Sequence, residues 1–129
     1  MKLLADVNVL VALAWPHHPH HADARRWWGG LGKADALATC AITELGFVRV
    51  SLQIPGVATD LAGAQQALAQ LRRARPGHVF LADGIEASAL PPWVKTARQT
   101  TDGHLATLAA AEGALLVTLD SGIPGAVLL

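Results

Sequence analysis

Residues 3–15 read LLADVNVLVALAW, a run of thirteen mostly apolar residues that contains one carboxylate, Asp6, and one amide, Asn8. An ionised carboxylate is costly to bury unless a cation, hydrogen bonds or a metal ion compensate its charge. Lys2 to Ala5 has the pattern of a short buried strand, and aspartate is a favoured residue at a helix N-terminus. The run therefore predicts a strand followed directly by a helix, with Asp6 between them and in need of partners from later parts of the chain.

The length and composition indicate one compact domain, residues 1–129, because a chain of this size buries enough surface for one hydrophobic core. Apolar residues make up 52% of the chain and charged residues 16%, which excludes disorder and favours a sheet covered on both faces. Ten basic and ten acidic residues balance, so the net charge alone indicates no class of partner. If four acids bound metal, ten bases would face six remaining acids, a net +4 that favours a polyanion.

The cysteine content and the N-terminus bear on the compartment. Cys40 is the only cysteine and belongs to no zinc-binding spacing, so we expect a protein of the reducing cytoplasm. The N-terminus has the order of a signal peptide, but Asp6 and Asn8 interrupt the apolar region, and such regions lack charges. The run is also too short to span a bilayer, so we expect no membrane association.

Apolar strand patterns alternate with helical patterns along the rest of the chain. Further strands are predicted at Ala36–Cys40, His78–Ala82 and Ala114–Leu119, with a short edge strand at Ala126–Leu129. Helices are predicted at Asp23–Leu31, at about Ile42–Leu52, from Asp60 onwards, and at Asp102–Glu112 with Thr101 as its cap. Residues 85–99 favour an irregular connection or one short helix. The alternation predicts an α/β fold with a central, mostly parallel sheet of four to five strands.

Four acids fall on the same edge of that predicted sheet. Asp6 and Asp120 follow strands, and Glu44 and Asp102 lie in the first turns of helices. Each taken alone has the ordinary explanation of a helix cap or turn residue. Together, at the carboxyl ends of parallel strands where functional groups gather, they predict a cluster of oxygen ligands that suits Mg²⁺ or Mn²⁺ better than zinc.

Other polar residues have a structural interpretation that outweighs a functional one. The four histidines between residues 17 and 21 resemble a metal-binding tract, but beside two prolines they favour a solvated connection. The tryptophans next to Arg25 and Arg26 could stack on RNA, although their helical spacing favours the core. Asp83 beside a glycine is typical of a turn, and His104 is interpreted as a surface or packing residue, since the sequence names no partner for it.

Four segments, in this order, resemble the PIN-domain ribonucleases, and more specifically the VapC-type toxins of bacterial toxin–antitoxin pairs. They are LLADVNVLVALAW with Asp6 and Asn8, AITELGFVRVSL with Thr43, Glu44 and Arg49, RQTTDGHLATLA with Asp102, and LLVTLDSG with Thr118 and Asp120. The resemblance covers nearly the whole chain, which it identifies as a single PIN-like nuclease domain. Two departures stand out. Ser121–Gly122 follows Asp120 where many relatives have a basic residue, and Gly103 stands where alanine is common.

The resemblance implies a three-layer α/β/α sandwich and endonucleolytic cleavage of RNA, tRNA or rRNA, that depends on Mg²⁺ or Mn²⁺. It implies a homodimer and a cognate VapB-like antitoxin that blocks the site. Carried over to this chain, it assigns metal binding and catalysis to four acids: Asp6, Glu44, Asp102 and Asp120. It further assigns Asn8, Thr43 and Thr118 to the shell that supports those acids or positions water.

Two other classes of function stay open at this point. A PIN-like module without activity would bind RNA or a partner protein without cutting it, although the intact acids argue against this. A phosphatase or phospho-acceptor domain would need a nucleophilic aspartate assisted by a nearby lysine, and the three lysines of the chain follow no convincing strand end. No glycine-rich phosphate loop or GxSxG motif is present, so the sequence supports neither a nucleotide cofactor nor a serine hydrolase.

Overall fold

The computed structural model describes residues 1–129 and contains five strands and five α-helices. The strands are β1 (Lys2–Ala5), β2 (Ala36–Cys40), β3 (Val79–Leu81), β4 (Ala114–Thr118) and β5 (Val127–Leu128). The helices are α1 (Val7–Ala14), α2 (His21–Gly29), α3 (Ala41–Gln53), α4 (Leu61–Arg73) and α5 (Thr100–Ala111). The connection between β3 and α5 contains two single 3₁₀ turns, Ala87–Ala89 and Ala97–Gln99, and is otherwise irregular, as the sequence predicted.

All five strands are parallel and lie in the order β3-β2-β1-β4-β5, with β1 in the centre. Leu3 pairs with Leu37 of β2 on one side and with Leu115 of β4 on the other. Because the strands run in the same direction, their carboxyl ends meet at one edge of the sheet. The predicted α/β class and mostly parallel sheet are confirmed, and the edge that follows β1, β2 and β4 carries the candidate acids.

Helices cover both faces of the sheet and create two hydrophobic cores. Leu3 lies in the core shared with α1 to α4, whereas its neighbour Leu4 lies in the core shared with α5, because successive side chains of a strand point to opposite faces. Gly46 lets α3 pack closely on α1: a Cβ at this position would lie 2.5 Å from a methyl group of Val7. This arrangement is the three-layer α/β/α sandwich that the resemblance implied.

The predicted start of the last helix is wrong by two residues. The helix α5 begins at Thr100 rather than Asp102, and Thr101 lies inside its first turn instead of capping it. The side chain of Gln99 accepts hydrogen bonds from the backbone N–H groups of Lys95 and Thr96, at 2.7 and 3.2 Å. This local turn fixes the chain before the helix, so that Asp102 lies within the helix rather than at its boundary.

The four histidines after α1 are not gathered into one cluster. No group of three or more His, Cys, Asp or Glu side chains that could hold a metal ion occurs anywhere in the structure. Three of these histidines, His17, His18 and His20, lie in the connection, and His21 begins α2 and contacts the carbonyl oxygen of Ala12 at 2.7 Å.

No helix has both the length and the apolar character needed to cross a bilayer.

Candidate active site

Asp6 lies between β1 and α1 and is 8% exposed. One of its carboxylate oxygens accepts a hydrogen bond from the backbone N–H of Val7 at 2.7 Å, so Asp6 caps α1 as the sequence predicted. The other oxygen accepts a hydrogen bond from the Thr118 hydroxyl at 2.8 Å. Burial raises the pKa of Asp6 above its ordinary value, the two hydrogen bonds oppose that rise, and the nearby charge of Asp120 adds to it.

Thr118, the last residue of β4, connects Asp6 to Asp120. Its buried hydroxyl donates to Asp6 and accepts from the backbone N–H of Asp120 at 3.0 Å. Asn8 contacts the same place: its side-chain N–H group lies 3.5 Å from the Thr118 hydroxyl, and its side-chain oxygen accepts from the N–H of Leu119 at 3.2 Å. Asn8 and Thr118 therefore hold the ends of β1 and β4 in register beneath the two carboxylates.

Asp102 lies in the first turn of α5, where the charges of Asp6 and Asp120 act on its carboxylate. Burial raises its pKa most, the charges of Asp6 and then Asp120 raise it further, and Arg98 opposes the rise. The structure therefore brings together three of the four predicted acids. Their repulsion leaves uncompensated negative charge at this edge of the sheet.

Glu44, the fourth predicted acid, has a different environment. One of its oxygens accepts a 2.5 Å hydrogen bond from the Thr39 hydroxyl, and the other lies 3.4 Å from the guanidinium of Arg72. The Thr39 oxygen also lies 2.8 Å from Nε2 of His78. Since the single hydroxyl hydrogen of Thr39 goes to Glu44, Nε2 of His78 must be the donor in the second contact. Glu44 thus has a cation and a hydroxyl as partners, and it contacts none of the other three acids.

Neutral His78 is consistent with this hydrogen-bond network. Burial lowers the pKa of His78, the positive charge of Arg72 lowers it further, and Glu44 opposes the change. None of these three partners of Glu44 was predicted as a site residue, and Thr39 and His78 appeared only within the predicted strands Ala36–Cys40 and His78–Ala82. The signal in the sequence is weak: Thr39 is a lone hydroxyl in a buried strand, and Arg72 is one of three arginines at the end of α4.

Thr43 is placed away from the carboxylates. Its buried hydroxyl accepts a hydrogen bond from the backbone N–H of Cys40 at 3.0 Å and makes its remaining contacts with the carbonyl and sulfur of the same residue. It therefore fixes the N-terminus of α3, the turn that carries Glu44. Any effect of Thr43 on the site would act through the position of Glu44.

A histidine–aspartate pair joins the end of β3 to α5, two residues along the helix from Asp102, and the sequence did not predict it. Asp83, which follows β3, contacts Nε2 of His104 in α5, and both side chains are largely buried. The hydrogen bonds from His104 and from the N–H of Ile85, together with the charge of His104, hold the pKa of Asp83 below its ordinary value against the effect of burial. The interpretation of Asp83 as a plain turn residue was incomplete, because its partner lies 21 residues away in the sequence.

Comparison with known proteins identifies the family. The PIN-domain family model matches residues 3–126 of the chain. The chain belongs to the PIN-domain family. This PIN domain is 46% identical over 123 residues to the ribonuclease VapC38 of Mycobacterium tuberculosis (strain ATCC 25618 / H37Rv), an alignment that covers 93% of this chain and 86% of the relative. It is 40% identical over 135 residues to the ribonuclease VapC39 of the same strain, with 95% and 91% of the two chains covered.

Two solved structures share the fold of this PIN domain. VapC20 of Mycobacterium tuberculosis, described as a sarcin-ricin loop cleaving toxin, superposes with a TM-score of 0.71 at 14% identity over 98% of both chains. VapBC2 of Rickettsia felis, bound to a DNA fragment from its promoter, gives a TM-score of 0.63 at 16% identity and covers 100% of this chain and 98% of its own. With the ribonuclease relatives, the family match makes this PIN domain a VapC-type ribonuclease toxin.

The carboxylate oxygens of the PIN domain suit a hard divalent cation, although the three acidic side chains do not form a complete coordination shell. Asp6, Asp102 and Asp120 offer only oxygen atoms, and each of the first two has a pKa raised in part by a neighbouring acid. No three acidic side chains lie close enough to bind one ion directly. Water molecules between the ion and some of the carboxylates would complete the coordination, as is common for Mg²⁺.

Proposed function

We propose that this VapC-type PIN domain hydrolyses RNA phosphodiester bonds with Mg²⁺, or Mn²⁺ as a substitute, held by Asp6, Glu44, Asp102 and Asp120. The observation that carries the proposal is the concentration of negative charge at the carboxyl edge of the sheet, where the charge of Asp120 raises the pKa of Asp6 and the charges of Asp6 and Asp120 raise the pKa of Asp102. When bound, the cation supplies Lewis-acid chemistry: it makes water a better nucleophile and offsets the charge on the attacked phosphate.

The remaining residues of the site orient the acids. Thr118 donates to one oxygen of Asp6, and α1 donates its first N–H to the other, so the carboxylate cannot rotate freely. Asp120 is fixed through its own N–H by Thr118, while one of its oxygens accepts from the N–H of Gly122 at 2.8 Å. Such partners keep ligands in place without binding the ion themselves.

We further propose an RNA of the tRNA or rRNA class as substrate, a VapB-like antitoxin as partner, and a homodimer as the assembled form. The VapC20 description as a toxin that cleaves the sarcin-ricin loop supports a structured RNA, and the VapBC2 assembly supports an antitoxin. Expression with and without a candidate VapB-like protein, followed by mapping of cleavage ends across cellular RNA, tests the antitoxin and the substrate together. Light scattering of the purified protein gives the oligomeric state.

The direct test compares the wild type with an Asp6→Asn, Asp102→Asn double variant on total cellular RNA, in Mg²⁺, Mn²⁺ and EDTA. Asp60→Asn is the matched control, because Asp60 caps α4 through Gly63 N–H at 2.8 Å and asparagine is an equally good cap. We expect cleavage by the wild type and by Asp60→Asn in either metal, and none by the double variant or in EDTA. Cleavage by the double variant at the wild-type rate contradicts the proposal.

The second candidate, a PIN-like module that binds RNA without cutting it, gives the opposite pattern. It predicts that RNA binding and growth inhibition persist unchanged in the double variant. The mutual repulsion of the three acids argues against it, because a binding surface for a polyanion gains nothing from uncompensated negative charge.

A further inference from the structure

Residues 83–99, which we call the strap, connect β3 to α5 and pack against the first turns of α5 at Gly103 and His104. The first residue of the strap is held on α5 by the contact between Asp83 and His104, whose side chains are only 14% and 16% exposed. The same Asp83 carboxylate accepts a hydrogen bond from the N–H of Ile85 at 3.0 Å. An otherwise irregular segment is therefore anchored two residues from Asp102 in the α5 sequence.

The strap makes a second contact with α5 at Gly103. A Cβ at this position would clash with a methyl group of Val94 and would lie 3.3 Å from Cδ of Pro91. The strap thus packs directly on the backbone of α5, in the space that an alanine side chain would need. This contact gives a physical reason for glycine at position 103.

The strap ends in the 3₁₀ turn that carries Arg98, four residues before Asp102. Arg98 forms no salt bridge or side-chain hydrogen bond, in contrast to Arg72, which pairs with Glu44, and Arg26, which pairs with Asp23. Its charge nevertheless acts on Asp102, where it partly offsets the rise in pKa that burial and the neighbouring acids cause. Arg98 is therefore an unpaired, exposed cation beside the acidic cluster.

The chain from Asp120 to Leu129 contains no basic residue. Asp120 is followed by Ser121 and Gly122, neither of which carries a charge. A phosphodiester approaching three carboxylates needs positive charge nearby, in addition to a metal ion, to offset repulsion from the flanking phosphates.

We propose that the strap contacts the RNA substrate at one side of the active site, and that Arg98 binds a phosphate of the RNA next to the cleaved bond. The Asp83–His104 pair and the Gly103 contact position the strap, and thereby Arg98, for that role. The proposal rests on the proposed ribonuclease function.

The first test measures binding of a short fluorescein-labelled single-stranded RNA of mixed sequence in EDTA, by anisotropy over a range of salt concentrations. We expect Arg98→Gln to weaken binding about fivefold and to reduce the slope of log Kd against log salt by about 0.7, the loss of one phosphate contact to a single strand. Arg26→Gln is the matched control and should leave both quantities unchanged. Equal effects of the two variants, or no effect of Arg98→Gln, overturn the proposal.

The second test uses cleavage kinetics in Mg²⁺. Arg98→Gln should raise KM about fivefold while kcat stays within about twofold, because the contact binds substrate and transition state alike. Gly103→Ala, which displaces the strap, should raise KM in the wild type and have little further effect in an Arg98→Gln background. If Gly103→Ala folds poorly, His104→Gln removes the contact with Asp83 instead and can be combined with Arg98→Gln in the same double-mutant cycle. Fully additive effects on KM overturn the positioning role.

The outcomes separate this proposal from the one on which it rests. A wild-type protein that cleaves RNA, with an Arg98→Gln variant indistinguishable from it, refutes the role of the strap alone. A wild-type protein that cuts no RNA in either metal refutes the ribonuclease proposal, whereas the binding measurement in EDTA still decides whether Arg98 contacts RNA.

Discussion

The two halves of the carboxyl edge of the sheet carry acids in opposite electrostatic situations. On the side of β1, β4 and α5, Asp6, Asp102 and Asp120 act on one another with Arg98 as the cation that opposes their repulsion. On the side of β2, β3 and α4, Glu44 has Arg72, Thr39 and, through Thr39, His78 as partners. Four acids that look equivalent in the sequence are therefore not equivalent in the fold.

This difference shows that the negative charge without a compensating partner lies in the half of the edge with Asp6, Asp102 and Asp120. Removing a carboxylate from the repulsive half lowers the negative charge that attracts a cation, whereas Glu44 is already neutralised in part by Arg72. A cation should therefore be held mainly by the first half, and Glu44 should contribute less unless Arg72 releases it.

The largest effect is expected from isosteric neutralisation of one acid in each half. Asp120→Asn should lower kcat/KM for RNA cleavage by about a hundredfold or more, and Glu44→Gln by about tenfold. Both variants keep the size of the side chain, so the comparison isolates the charge. Cleavage rates in saturating Mn²⁺ check the prediction, and equal losses would show that the two halves act as one site.

The next effect concerns the hydroxyl that joins the acids of the first half. Thr118→Val removes the donor to Asp6 and the acceptor for Asp120 N–H, and should lower cleavage by about 10- to 100-fold. It should also cost about 1–3 kcal/mol of unfolding free energy, since the buried polar groups lose their partner. Thr118→Ser keeps the hydroxyl and should stay near the wild type in both denaturant unfolding and kinetics; a serine variant as impaired as valine would assign the effect to packing.

Releasing Glu44 should have a smaller effect, in the opposite direction. Arg72→Gln removes the cation that competes with a metal ion for Glu44, so the Mn²⁺ concentration for half-maximal cleavage should fall about threefold. Arg73→Gln, on the same helix but without an acidic partner, is the control. An unchanged metal requirement in Arg72→Gln would place Glu44 outside the metal site.

The smallest expected effect is on the metal-free protein. Because the pKa of Asp102 is raised in the folded state, its ionised form destabilises the fold, and this destabilisation grows as pH rises through the raised pKa. Asp102→Asn in EDTA should therefore raise Tm by a few degrees at pH 7, with the gain shrinking as pH falls towards 4. In saturating Mn²⁺ the sign should reverse, because the wild type binds the ion more tightly. A constant difference across pH would contradict the electrostatic explanation.

Much of the fold could be read from the sequence because it depends on local patterns. The strand Lys2–Ala5 and the Asp6 cap are found as predicted, and both follow from apolar periodicity and side-chain capping within a few residues. The exact start of α5 was missed because Gln99, rather than Thr101, organises the chain before the helix. The site was predictable only as a list of acids, since their order along the chain says which edge they share but not which partners they have there.

The sequence by itself determined the α/β class, the position of the acids at the strand ends and the likeness to PIN domains, because these depend on hydrophobic periodicity and on motifs contained in short segments. Only the tertiary structure decided that Glu44 pairs with Arg72, that Asp83 meets His104, and that the strap lies on Gly103. Those contacts join residues 9 to 28 positions apart through the packing of separate helices and strands. Such packing depends on the whole set of side chains in the two cores, and no local pattern encodes it.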